Sequence, residues 1–264
     1  MITIDLSAKI ALVTGSSQGI GQACAKVLAC AGASVALAAR NEENLKQTAS
    51  DIIAAGGRAE VLAGDLTAEG QTERVVEETC ARLGGIDFLV SAAGVSRRTD
   101  PIVTTDEDID LAIDLKLRAA IRLTKAAIPQ MRKRGGGAIV YFSGLSHVHT
   151  SEYHGSGCIS NAGLAAYKHQ LARRLAPENI RVNLINPGTT DTPRYVRQTT
   201  RIAEITNRTY EEVDAERRAE LPMGRLTRAE DCAGAALFLV SDLASNITGE
   251  SINVDGGRCD VVRP

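Results

Sequence analysis

The chain has 264 residues, enough for one large α/β core, and its 30 basic against 32 acidic side chains (net −2) exclude a polyanion-binding surface as the default reading. No stretch reaches the ~18 apolar residues of a membrane-spanning helix, and Met1-Ile2-Thr3-Ile4-Asp5 lacks the basic-then-apolar pattern of a leader, so a soluble cytoplasmic protein is expected. Six scattered cysteines (Cys24, Cys30, Cys80, Cys158, Cys232, Cys259) form no C-x-x-C pair, which points to reduced thiols in an intracellular setting.

In chain order, Lys9 to Val13 is a short apolar run that enters Thr14-Gly15-Ser16-Ser17-Gln18-Gly19-Ile20-Gly21, and Cys24 to Ala29 continues as a helix. Strand, glycine turn and helix in this order aim backbone N–H groups and the positive end of a helix at a phosphate. Gly15 allows a sharp exit from the strand, Gly19 a close approach of backbone to a pyrophosphate, and Gly21 close helix–strand packing. Ser34 to Ala39 reads as the second strand. An acidic residue at its end would bind a ribose 2′-hydroxyl and favour NAD(H). Ala39, Arg40 and Asn41 stand there instead, and the Arg40 guanidinium suits a 2′-phosphate, so NADP(H) is the expected cofactor. The alternative is a solvated arginine that starts the next helix.

Glu42 to Ala55 reads as a helix, Ala59 to Ala63 as the third strand, and Asp65 as an N-cap for a helix from Thr67. Ile86 to Val90 is the fourth strand and runs into Ser91-Ala92-Ala93-Gly94. A long helix is expected over about Asp106 to Lys133, with Lys116 on an apolar face where snorkelling is the ordinary reading. Ala138 to Phe142 (fifth strand), Gly163 to Leu175 (helix), Ile180 to Ile185 (strand), a charged helical stretch from Pro193 to Leu221, a helix from Ala229 to Leu239 and a last strand Ser251 to Val254 follow. Apolar runs alternating with amphipathic segments predict βαβ units, hence a doubly wound α/β Rossmann fold with a parallel seven-stranded sheet.

The glycine turn, together with Asp65-Leu66, Ala92-Ala93-Gly94, Arg181-Val182-Asn183-Leu184-Ile185-Asn186-Pro187-Gly188 and Asn253-Val254-Asp255-Gly256-Gly257, resembles the classical short-chain dehydrogenases/reductases from about Lys9 to Gly257. The resemblance implies a single dinucleotide-binding domain over 1–264, with a substrate lid at about 193–221 and a homotetramer or homodimer built on the C-terminal strand and the helices before it. It places Gly15, Ser17, Gln18, Gly19, Ile20, Gly21 and Arg40 around the cofactor. Asp65 and Leu66 fall at the adenine, Ala93 and Gly94 where backbone approaches the cofactor, and Pro187, Gly188 and Thr192 at the nicotinamide amide or a phosphate.

The resemblance breaks at the chemistry. The serine position falls on Gly144, with Ser143 just before it; the tyrosine position falls on Gly157 and the lysine position on Asn161. None of Tyr141, Tyr153, Tyr167, Tyr195 and Tyr210 has Lys or Arg four residues later. The asparagine position of the preceding helix is Lys116, so asparagine and lysine are exchanged. Between the fifth strand and its helix lies Ser146-His147-Val148-His149-Thr150-Ser151-Glu152-Tyr153-His154, three of the four histidines with a tyrosine. Histidine is the side chain best suited to proton transfer near neutral pH. His147, His149, His154 and Glu152 match no strong metal motif, and no metal is expected.

The leading expectation is an NADP(H)-dependent oxidoreductase on an alcohol or carbonyl, in which Lys116 and Asn161, with Tyr153, His147 or Ser143, handle the proton. The alternatives are an NADPH-binding sensor or scaffold without turnover, and a non-redox lyase or isomerase using the same cleft. A small-molecule substrate is expected, and neither nucleic acid nor membrane.

Overall fold

Short runs of aliphatic residues, apolar on both faces, are what a sheet covered by helices on both sides requires. In the computed structural model, which describes residues 3–95, 97–149 and 153–261, seven strands pair in parallel, the central ones of this kind. The seven are β1 (Ile10–Thr14), β2 (Ser34–Ala39), β3 (Arg58–Ala63), β4 (Phe88–Ser91), β5 (Gly137–Phe142), β6 (Ile180–Pro187) and β7 (Ser251–Val254), in the order β3-β2-β1-β4-β5-β6-β7. Successive side chains of each strand point to opposite faces. Ala11, Val13, Val35, Leu37 and Val90 enter one core with helices α1 (Gly19–Cys30), α2 (Glu42–Ala54) and α9 (Ala229–Val240). Leu12, Ala36, Leu89, Ile139 and Leu184 enter the other, against α3 (Gln71–Leu83), α5 (Ala119–Lys133) and α6 (Gly155–Leu175).

Successive strands are added leftward from β1 to β3 and rightward from β4 to β7, so the order of winding switches between β1 and β4. In a doubly wound sheet the crevice outside the strand ends at this point receives ligands. The glycine turn after β1 and the Ser91–Gly94 segment after β4 flank it. Gly15, with φ +69°, makes the exit from β1; a Cβ there would lie 2.9 Å from the Ala92 carbonyl carbon. At Gly21 a Cβ would lie 2.4 Å from the Gly15 carbonyl oxygen, so glycine lets α1 pack onto the turn.

Two expectations need correction. The residues after Asp65 do not open a helix: α3 begins at Gln71 behind Gly70, and the Asp65 carboxylate holds a tight turn by accepting from Thr67 N at 3.0 Å and Thr67 Oγ1 at 2.8 Å. The expected long helix is interrupted: α4 (Asp106–Ala112) and α5 are joined by a π-helical turn, Ile113–Arg118, that carries Lys116. The charged stretch after Pro193 is helical as expected, in two pieces, α7 (Pro193–Thr206) and α8 (Tyr210–Ala219), the second opened by a Thr209–Glu212 capping box.

Arg181 of β6 has a plain structural task. Its guanidinium donates to the carbonyls of Leu239 (2.6 Å), Val240 (3.1 Å) and Ser241 (3.2 Å), closing the C-terminal end of α9. Arg181→Ala is expected to cost roughly 2 kcal/mol, a fall of roughly 4–8 °C in Tm, with no direct effect on the crevice. Thermal unfolding measures it, and an unchanged Tm would show the cap to be dispensable. Among the described residues, no helix is long and apolar enough to cross a membrane, and all six cysteines are unpaired.

Candidate active site

Two adjoining cavities lie at the carboxyl ends of the strands. The first, about 630 Å³, is bounded by the glycine turn. Gly15, Ser17, Gln18, Gly19, Ile20 and Gly21 line it, as do Arg40 and Asn41 at the end of β2 and Leu66, Ala93 and Gly94. The first turn of α1 carries no acidic residue, and its N-cap Gln18 makes no side-chain capping bond. The free amides of that turn and the positive end of the helix dipole therefore suit an anion. At the segment after β4, Thr14 Oγ1 accepts from Ala93 N at 3.3 Å and ties β1 to β4.

The second cavity, about 420 Å³, meets the first at Ile20, Thr192 and Arg194. Lys116 reaches it from the π-helical turn, its stem passing over Gly94, where a Cβ would stand 3.0 Å from Lys116 Cε. The Lys116 ammonium, almost wholly buried, donates to Asn161 Oδ1 at 2.5 Å and to the Ser143 carbonyl at 3.0 Å. Asn161, on α6, also donates through Nδ2 to Ser146 Oγ at 2.7 Å, and Ser143 Oγ donates to the Asn161 carbonyl at 3.3 Å. Burial first, and then the Arg194 charge, pull the Lys116 ammonium down to about 7. An amine with that pKa exchanges protons at neutral pH, as a general acid or base must.

Gly144 and Gly157 face this cluster without side chains. A Cβ on Gly144 would lie 3.0 Å from Asn161 Nδ2. A Cβ on Gly157 would lie 2.1 Å from His154 Nε2 and 2.3 Å from its Cδ2, so the His154 ring occupies the space that a side chain at 157 would enter. His154 immediately precedes α6. Burial, and then the charges of Arg98, Lys116 and Arg194, push its ring down to about 2. The imidazole is therefore neutral at working pH, with one N–H to donate and one nitrogen to accept.

Of the residues singled out in the sequence, Lys116, Ser143, Tyr153 and Asn161 come together around the second cavity. His147 does not line it; its Nδ1 sits 2.8 Å from the Gly144 carbonyl oxygen, and His154 takes the place at the cavity that His147 was expected to hold. Asp65 does not line the first cavity, its carboxylate being turned to Thr67, although Leu66 beside it does. Thr192 borders both cavities, whereas Pro187 and Gly188 line the second alone. Thr150, Ser151 and Glu152 of the histidine loop lie outside the described residues. Among the described residues no group of three or more His, Cys, Asp or Glu side chains is placed to hold a metal ion. Ser146 and His154 were named only as members of the histidine loop, and neither was among the residues expected to handle the proton. The helical glycine at 157, which spends stability unless something needs its space, was the available signal for His154.

A model of the family described as enoyl-(acyl carrier protein) reductase matches residues 15–258. The 3-oxoacyl-(acyl-carrier-protein) reductase of Escherichia coli (strain K12) is 34% identical over 254 residues, 96% of this chain and 98% of that protein. Human dehydrogenase/reductase SDR family member 4 is 35% identical over 256 residues, 96% of this chain and 88% of its own. Among solved structures, L-sorbose reductase from Gluconobacter frateurii, complexed with NADPH and L-sorbose, has a TM-score of 0.92 at 31% identity, covering 99% of this chain and 100% of that one.

Proposed function

The chain belongs to the short-chain dehydrogenase/reductase family, and on that premise we propose that it is an NADP(H)-dependent oxidoreductase interconverting an alcohol and a carbonyl, with Lys116 as its proton donor and acceptor. The observation that carries the reading is the buried contact of Lys116 Nζ with Asn161 Oδ1 at 2.5 Å, beside a cavity continuous with the glycine turn. Positions 116 and 161 carry asparagine and lysine in exchanged order relative to the family pattern. The contact supports reading the exchange as one unit, with the ammonium anchored from the opposite helix.

The residues present fit NADP(H). The uncapped first turn of α1 suits the pyrophosphate, Arg40 at the mouth of the first cavity suits a 2′-phosphate, and Ala39 leaves no carboxylate to repel it. The NADPH in the sorbose reductase complex supports the same choice. Bound there, the cofactor would supply a hydride to a carbonyl carbon or take one from an alcohol carbon.

In the reductive direction the electron pair of the C=O bond moves onto oxygen, which takes a proton from the Lys116 ammonium. Asn161 and the Ser143 carbonyl hold Nζ in place, and the neutral His154 ring donates a hydrogen bond to the developing oxyanion. Oxidation reverses each step, with the Lys116 amine as base. Tyr153 is assigned to binding the substrate oxygen from the same wall, and Ser143, its hydroxyl donating to the Asn161 carbonyl, to holding Asn161 in place. Helices α7 and α8 are assigned to the lid, with the Tyr195 hydroxyl donating to Asp214 to hold the pair together.

NADPH oxidation followed by absorbance over a panel of carbonyl compounds tests the proposal. Turnover of any member supports it; tight NADPH binding with no turnover across the panel would favour a sensor, scaffold or non-redox use of the cleft. Arg40→Ala is expected to raise the Kd for NADPH about 10- to 100-fold and leave that for NADH nearly unchanged. Fluorescence titration measures both, and equal losses for the two cofactors would remove Arg40 from 2′-phosphate recognition.

A further inference from the structure

The cavity that receives Lys116 and His154 also receives guanidinium groups from four separate parts of the chain. Arg98 comes from the segment after β4, Arg194 from the start of α7, Arg217 from α8 and Arg258 from the tail after β7. Their side chains are held. Arg217 lies over the Tyr195 ring, 4.4 Å from its centroid, and donates to Thr199 Oγ1. Arg258 donates to Thr189 Oγ1 at 2.7 Å and pairs with Glu220, and Arg194 donates to the Gly94 carbonyl at 3.1 Å.

The charge balance of the cavity is lopsided. Among the described lining residues six are cationic (these four, Lys116 and Arg208), and two are acidic, in a chain whose net charge is −2. Both carboxylates are already engaged at the rim, Glu216 with Arg208 and Glu220 with Arg258. Burial first, and then the charges of Arg217, Arg194 and Arg258, push the pKa of Arg98 down to about 9. Guanidinium groups brought this close together repel one another, and an anion bound between them offsets that repulsion. Arginine's planar fork matches the oxygens of a carboxylate or phosphate. The cofactor does not account for the group: Arg98, Arg217 and Arg258 line the second cavity and not the first, whereas Arg194 stands at the junction.

We infer that the substrate is a small carbonyl or alcohol carrying an anionic oxygen group, a carboxylate or phosphate ester, gripped by Arg98, Arg217 and Arg258 while its reacting oxygen meets Lys116 and His154. The carbonyl half of this statement rests on the oxidoreductase reading; the anion half stands without it. A volume of about 420 Å³ sets the size at that of a small metabolite.

The test uses the protein saturated with NADPH and equilibrium binding of malonate, inorganic phosphate and malonamide by calorimetry. Malonate or phosphate is expected to bind, and malonamide, the same skeleton as malonate without the charge, is expected to bind at least ~10-fold more weakly. This wild-type comparison needs no variant to fold. Arg98→Gln and Arg217→Gln are each expected to weaken the anion ~10-fold or more. Which of malonate and phosphate binds tighter assigns the carboxylate or the phosphate ester. In turnover, a keto acid is expected to exceed its methyl ester in kcat/KM by at least ~10-fold. Equal binding of malonate and malonamide, or equal turnover of acid and ester, overturns the inference. Anion binding with no turnover of any carbonyl sustains the anion site and overturns the oxidoreductase reading instead.

Discussion

Lys116→Ala is expected to lower turnover about 10²–10⁴-fold, the range for removing a positioned acid–base group, while NADPH binds with nearly unchanged affinity. Lys116 is buried, its Nζ is fixed by Asn161 Oδ1 and the Ser143 carbonyl, and its pKa stands at about 7. The sign of the pH dependence follows. Reduction needs the ammonium, which is lost as pH rises through about 7, so kcat/KM for the carbonyl falls above that pH. Oxidation needs the free amine, so kcat/KM for the alcohol rises to a plateau over the same interval. Both inflections should vanish in Lys116→Ala. Asn161→Asp sharpens the test by setting a carboxylate against the ammonium. An opposite charge at that distance favours the protonated form, so the inflection should move to higher pH, which loss of packing alone would not produce. Wild-type turnover in Lys116→Ala, or an inflection that persists in it, would remove Lys116 from the chemistry.

The sheet and the glycine turn were legible because their signals are local. The apolar run Ser34–Ala39 and the helix start at Glu42, capped by Asn41 accepting from Asn44 N, can be read within a few residues and stand where expected. The Lys116–Asn161 pair was legible by counting residues from landmarks, and space brings its two members together across 45 positions of sequence. What escaped reading depends on contacts between segments. Asp65 looks like a helix cap until the chain shows that the helix starts later, at Gln71. The π-helical turn at Ile113–Arg118 has no composition of its own, since its bonding pattern answers to packing against α6 rather than to propensity. The arginine group is assembled from positions 98, 194, 217 and 258, each of which reads alone as a solvated charge.

Gly157→Ala is expected to reproduce the defect of His154→Ala with α6 intact. Position 157 stands in the first turn of α6, where the helical backbone accepts alanine, so the helix itself should hold. The added Cβ would stand 2.1 Å from His154 Nε2, closer than any van der Waals contact, and the ring is the mobile partner, so the imidazole must swing away. If the neutral imidazole donates to the substrate oxygen in the transition state, its displacement should lower kcat about 10–10³-fold with little effect on NADPH affinity. His154→Ala removes the same donor and should fall by a similar factor. Because both changes abolish one interaction, the double variant should lose no more than either single variant, a strongly non-additive cycle. Full activity in Gly157→Ala, or losses that multiply in the double variant, would show that the ring over Gly157 only fills space. The absent side chain at 157 and the histidine above it would then be unrelated features rather than one device.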